Sequence, residues 1–245
     1  MDIRAQKIFA LSGPISMAMV LIAAYISGFL SPPSPTATAE QMATLYQANA
    51  HAITSGAILF ELSTALFVLF IAALSVQIRR IEGDRRTFTY AQIVAGTASM
   101  APVILGPLGW AVAAFRPDSA NVQAFNDLAF LILAGVTPPA TAQMFVVGLA
   151  ILSDERAQPI IPRWVGYVSI VISIVAVQGL LCWMFKTGPF AWDGFLAGSL
   201  PTLLFFPWSI LMAVMLIRAI NQEAQEARTL NKKGGTASGA LVGAR

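Results

Sequence analysis

The stretch "AILFELSTALF", residues 57–67, places one carboxylate, Glu61, inside an apolar run long enough to cross a bilayer. Residues 53–78 around it carry no other charged side chain, and about 20 predominantly apolar residues suffice for a transmembrane helix. Five more segments of comparable length and composition follow from the same reading, at about 8–30, 91–115, 128–152, 164–185 and 195–217. Lipid offers no partner for an unpaired backbone group, so such runs span as helices. A transmembrane barrel would need alternating segments of about ten residues, and these runs are too long and too uniformly apolar. The expected fold is an all-α bundle of six transmembrane helices over residues 1–219, followed by a polar tail at 220–245.

The composition agrees. Of 245 residues, 57% are hydrophobic and 11% are charged, where a soluble domain carries about 25% charged residues. One His and one Cys exclude an intrachain disulfide and give too few ligands for a zinc site or a bis-histidine haem. No metal and no cofactor is expected. A net charge of +3 does not point to nucleic acid, because no basic stripe or nucleic-acid motif accompanies it.

The basic residues instead report topology. Arg4 and Lys7 precede the first span; Arg79, Arg80, Arg85 and Arg86 separate the second and third. Arg156 and Arg163 separate the fourth and fifth, and Arg218, Arg228, Lys232, Lys233 and Arg245 follow the sixth. Only Arg116 and Lys186 fall on the other side. By the positive-inside rule both termini are cytoplasmic, in an inner (cell) membrane. The first span has the outline of a signal peptide ending at Ala37-Thr38-Ala39, but its apolar run of about 23 residues exceeds the 7–15 of a cleaved signal. Retention is expected; cleavage would leave five spans.

Between spans one and two, residues 31–52 form an outer loop with no Lys or Arg. Its Pro-rich first half reads as extended. Its second half, 36–49, reads as a short interfacial helix started by "TAEQ". At the other end, Gly234 and Gly235 mark where a polar helix is expected to fray.

Glu61 lies about 12 Å below the outer surface at 1.5 Å per residue. A charged carboxylate facing lipid at that depth costs at least about 2.5 kcal/mol, so the sequence predicts that it faces helices, a wet cavity, or carries a proton. Thr64 shares its small and polar stripe. At comparable depths lie Gln178, Thr137 with Pro138 and Pro139, Trp110 after Pro107, and Pro201 with Thr202. Together they predict an outer-leaflet pocket lined by Glu61, Thr64, Trp110, Thr137, Gln178 and Trp192. His51, Arg116 and Lys186 are expected at its rim, and the loops "FRPDSANVQAFND" and "FKTGPFAWDGF" are expected to close over it. The plainer readings are that Glu61 hydrogen-bonds a neighbouring helix, that Gln143 and Gln178 are packing groups, that Trp183 and Trp192 belong to the aromatic belt, and that Arg116 pairs with Asp118.

Three function classes survive, since no P-loop, GxGxxG, HExxH or GxSxG occurs. The first is binding or transport of a lipophilic small molecule with Glu61 as its polar partner. The second is a membrane enzyme acting on a lipid, terpenoid or sterol-like substrate, with Glu61, Asp127 and Asp193 as acid/base candidates. The third is a non-catalytic scaffold subunit. Membrane lipid and a lipophilic molecule are the expected partners, with a homo-oligomer or larger membrane complex left open.

Overall fold

The computed structural model describes residues 3–242 other than Ser119, with side chains through Thr229. Among the described residues, eight α-helices run in the order α1 (Ile3–Ile26), α2 (Ala39–Glu82), α3 (Thr87–Ala98), α4 (Met100–Phe115), α5 (Val122–Gly135), α6 (Pro138–Leu152), α7 (Arg163–Ala176) and α8 (Leu200–Val242). A 3₁₀ segment, Val177–Trp183, extends α7, and a π-helical segment, Phe195–Ser199, leads into α8. Among the described residues there is no strand. Six continuous stretches are long and apolar enough to cross a membrane, as in a multi-pass membrane protein. They coincide in order with the six expected from the sequence.

The helix after the Pro-rich loop starts where "TAEQ" predicts. The Thr38 hydroxyl accepts from the Gln41 backbone N–H at 3.2 Å, and the Gln41 side chain accepts from the Thr38 N–H at 2.8 Å. This reciprocal cap satisfies two otherwise orphaned donors. The short helix that follows meets span two at a kink at Asn49, whose φ of −125° departs from helical geometry. At the opposite end, α8 remains helical past Gly234 and Gly235.

Close helix approach is set by small residues. A Cβ at Gly56 of α2 would lie 2.7 Å from the Ala23 carbonyl oxygen and 2.7 Å from the Ser27 Cβ of α1. On the other side of the bundle, a Cβ at Gly148 of α6 would lie 2.8 Å from the Gly166 carbonyl oxygen of α7. In lipid, where helices gain nothing from hydrophobic association, such contact is a main source of cohesion.

Two apolar clusters fill the bundle. The one nearer the Arg-rich end centres on Phe70, Leu74, Met144, Ile151, Trp208 and Met212. Polar ties close that end. Gln77 donates to Gln6 at 3.1 Å and to Glu223 at 3.2 Å, joining α1, α2 and α8. The Glu82 carboxylate accepts from the backbone N–H groups of Phe88 and Thr89, capping the start of α3. Asp154 accepts from the Ile160 N–H at 2.9 Å and fixes the α6–α7 loop.

The second cluster, at the other end, is aromatic. Phe29, Phe60, Phe130 and Trp192 surround or adjoin Trp110, with the Phe29 and Trp110 rings 4.8 Å apart and Phe130 stacked on Trp192 at 5.9 Å. The Trp192 indole N–H donates to the Pro33 carbonyl at 2.8 Å, tying the Pro-rich loop to the loop before α8.

Candidate functional site

Among the described residues, spans three and four are broken, and spans five and six change winding. Span three breaks at Ser99, between α3 and α4; span four breaks at Val136 and Thr137, between α5 and α6. Span five passes from α to 3₁₀ winding at Val177, and span six enters through the π-helical turn. Proline accounts for part of this. Pro138 and Pro139 have no N–H to donate to the carbonyls four residues earlier, and Val136, with ψ of 59°, leaves helical geometry. Pro102 and Pro201 remove donors in the same way.

Beside the breaks of spans three and four lies a cavity of about 180 Å³. Met17 and Val20 of α1, Phe60 and Phe67 of α2, and Ser99 and Val103 at the α3–α4 break form one side. Leu133, Val136, Thr137 and Met144 from α5 and α6, with Ala176 of α7 and Phe205 of α8, form the other. Leu21 and Thr202 line it and are also exposed on the outside of the bundle. The cavity therefore opens sideways, between α1 and the first turns of α8, towards lipid. For scale, a dry engineered cavity of about 150 Å³ admits benzene. A ring or the end of a chain fits here, with any longer tail left in the bilayer.

Six hydroxyl-bearing residues supply the polarity: Ser16, Thr64, Ser99, Thr137, Thr141 and Thr202. No titratable side chain lines the cavity. Ser16 donates to the Ser63 carbonyl at 2.7 Å, Thr64 to Glu61 at 2.7 Å, Ser99 to Gly96 at 2.7 Å and Thr141 to Pro138 at 2.8 Å. The Thr137 hydroxyl oxygen is sealed from the open space and has no partner among the described residues. A buried unmade hydrogen bond costs about 1–3 kcal/mol.

Of the residues expected in a pocket, Thr64 and Thr137 meet in this cavity. Glu61 does not line it. Residues 100° apart on α2 explain why: Phe60, Ser63 and Phe67 are buried, Ile58, Leu62 and Val68 are exposed, and Glu61 sits half-buried at the edge between them. Its backbone carbonyl accepts from Thr64, and its carboxylate makes no hydrogen bond or ion pair among the described residues. Trp110 is buried in the aromatic cluster above the cavity, with an unpartnered indole N–H. Trp192 is in that cluster as well, not in an exposed belt, because stacking on Phe130 and the bond to Pro33 hold it inside. Trp183 is exposed and donates to the Leu131 carbonyl. Gln178 is half-buried on the 3₁₀ segment and does not line the cavity.

The rim residues stay apart from it. His51, Arg116, Lys186 and Asp193 are exposed. Asp118 accepts from Gln47 at 3.0 Å and is not paired with Arg116 among the described residues. Asp127 accepts from Asn126 at 3.3 Å, and Asn126 in turn accepts from the buried Tyr46 hydroxyl at 3.1 Å. The two loops expected to cover a pocket thus pack on the aromatic cluster, which caps the cavity. Among the described residues no group of three or more His, Cys, Asp or Glu could hold a metal ion.

The residues that sequence reasoning missed are Ser16, Ser99 and Thr141, together with the apolar wall from Met17, Phe67, Met144 and Phe205. The "GTASMA" stretch at 96–101 carried a signal for one of them, since it marks the α3–α4 break. No known protein family, curated protein or solved structure matches this chain.

Proposed function

We propose that this chain is an inner-membrane protein, with both termini cytoplasmic, that binds a lipophilic small molecule taken sideways from the bilayer. One observation carries the reading: the breaks of spans three and four border one laterally open cavity, which the end of α7 and the first turns of α8 also line. Broken helices inside a membrane leave backbone groups unsatisfied, and they are tolerated where protein or a lined cavity compensates. Two of them beside one cavity are costly unless the space has a use. The Lys and Arg asymmetry supports the orientation.

The polar contacts of this site are hydroxyls, with Thr64 and Thr137 in the positions that Glu61 was expected to share. Acid/base catalysis lacks support here, because a general acid must come within about 3 Å of the reacting atom and no titratable group lines the space.

The test is extraction of co-purified lipophilic molecules from the wild type and from Ala140→Leu, which projects bulk from the cavity wall. A molecule retained by the wild type and lost from the variant supports the reading. Equal retention by both would defeat it.

A further inference from the structure

We infer that what enters this cavity is a hydrocarbon chain end: the ligand is an outer-leaflet amphiphile whose polar head stays at the interface while its acyl or prenyl tail turns in through the mouth. The inference rests on the binding reading above, with its orientation, and adds which end of the ligand the site holds. Protein already answers the polar groups around the space. Ser16, Thr64, Ser99 and Thr141 donate to backbone carbonyls, and the Thr137 hydroxyl oxygen is sealed from the space. The carbonyls that Pro138 and Pro139 leave without a helical donor are covered as well. That of Gly135 accepts from the Thr137 N–H at 2.8 Å, and that of Ala134 lies where a Cβ at Gly179 would be only 2.5 Å away. The sixth hydroxyl belongs to Thr202, an exposed residue at the mouth.

A ligand carbonyl or ether oxygen pushed past the mouth therefore meets no free hydroxyl donor among the described residues. A ligand hydroxyl would meet lone pairs on Ser and Thr oxygens and no donor for its own oxygen. Either group gives up hydrogen bonds at the interface without full compensation, which is costly in an apolar space. A charged head finds no counter-charge, because no Asp, Glu, His, Lys or Arg lines the cavity. A hydrocarbon end loses nothing polar on entry and packs against Met17, Phe67, Met144 and Phe205. The depth of the mouth agrees. Leu21 lies five residues before the end of α1 at Ile26, and Thr202 seven after the start of span six at Phe195. At 1.5 Å per residue the mouth is about 8–10 Å below the outer ends of these spans, within a hydrocarbon leaflet about 15 Å thick. The bilayer presents chains there, not heads. Since about 150 Å³ admits benzene, the space of about 180 Å³ holds roughly six or seven carbons.

The experiment uses the full chain in nanodiscs and two phosphatidylcholines with a diazirine on one palmitoyl chain, near its methyl end in one probe and beside its ester in the other. Adducts are mapped by mass spectrometry. The methyl-end probe should label Leu133, Val136 and Met144 at least about fivefold more than the ester-side probe, the low end of the cost of burying an unpartnered polar group. Ala140→Leu should remove that labelling. Unlabelled octadecylphosphocholine and geranylgeranylphosphocholine compete in separate arms; competition by either supports the inference, and the stronger one names an acyl or a prenyl chain as the source. Equal competition by octylphosphocholine, whose short chain ends near the depth of the mouth, would overturn it. Equal interior labelling by the two diazirine probes would also overturn it and leave the binding reading standing. No interior labelling by either probe would overturn it too. In that case the binding reading stands if a molecule is retained by the wild type and lost from Ala140→Leu, and falls if none co-purifies.

Discussion

Filling the cavity should cost this protein its ligand without costing it stability. At about 24 cal/mol for each Å³ of empty space, leaving about 180 Å³ unfilled forgoes up to about 4 kcal/mol. That is a ceiling, since lipid chains can enter by the mouth, yet it is large against the 5–15 kcal/mol typical of a native protein. Ala140→Leu places three more carbons in that space. The expected change is between about zero and 2 kcal/mol of added stability, whereas overpacking a closed core would lose about 1–3 kcal/mol. At about 2–4 °C per kcal/mol for a chain of this size, the unfolding midpoint should hold or rise by several degrees. Intrinsic tryptophan fluorescence of the detergent-purified protein reads it. A ligand at a hundredfold excess over its Kd should stabilise the wild type by about 2.7 kcal/mol and leave the variant unmoved. A fall of several degrees in Ala140→Leu would show that the space is not open, and the cavity account would fail.

Other outcomes follow from the same structure. Glu61→Gln should leave ligand binding within about twofold of the wild type, because Glu61 lies outside the cavity lining; a tenfold loss in the same thermal-shift titration would return it to the site. Gly56→Leu would drive a side chain against the Ala23 carbonyl and Ser27, and should lower stability by about 2 kcal/mol or more, seen as a drop in the unfolding midpoint. Trp192→Phe removes the bond to the Pro33 carbonyl at about 1 kcal/mol, and limited proteolysis should then cut within 31–37 faster than in the wild type. Single cysteines placed at Arg85 and at Thr36 should react with a membrane-impermeant thiol reagent from opposite sides in intact cells, only Thr36→Cys reacting from outside; the reverse would refute the orientation.

The spans were legible because hydropathy integrates over twenty residues, and the start of α2 was legible because Thr38 and Gln41 form a local device. The prolines at 138 and 139 are a local sign of the helix break beside Thr137. Glu61 illustrates where such reading ends. On α2 the buried Phe60 and Phe67 and the exposed Ile58 and Leu62 are equally apolar, so the sequence cannot tell inside from lipid, and the phase of the helix is lost. A polar residue in such a span is known to be costly, but which way it faces depends on neighbours that the sequence does not place. Trp192 failed for a related reason. Aromatic residues near a membrane end serve equally as belt or as core, and the contact with Pro33, 159 positions away, settles it only in three dimensions. The cavity itself comes from α1, α2, the α3–α4 and α5–α6 breaks, α7 and α8 together, a long-range coincidence with no local signature.

The most direct test of the central claim is photocrosslinking of the protein in nanodiscs with a diazirine-bearing long-chain alcohol, with adducts mapped by mass spectrometry. The cavity account predicts adducts on Val103, Leu133, Val136 and Met144, competed away by 1-dodecanol. Adducts confined to lipid-facing residues such as Ile58, Val171 and Ile174, and indifferent to competitor, would contradict it.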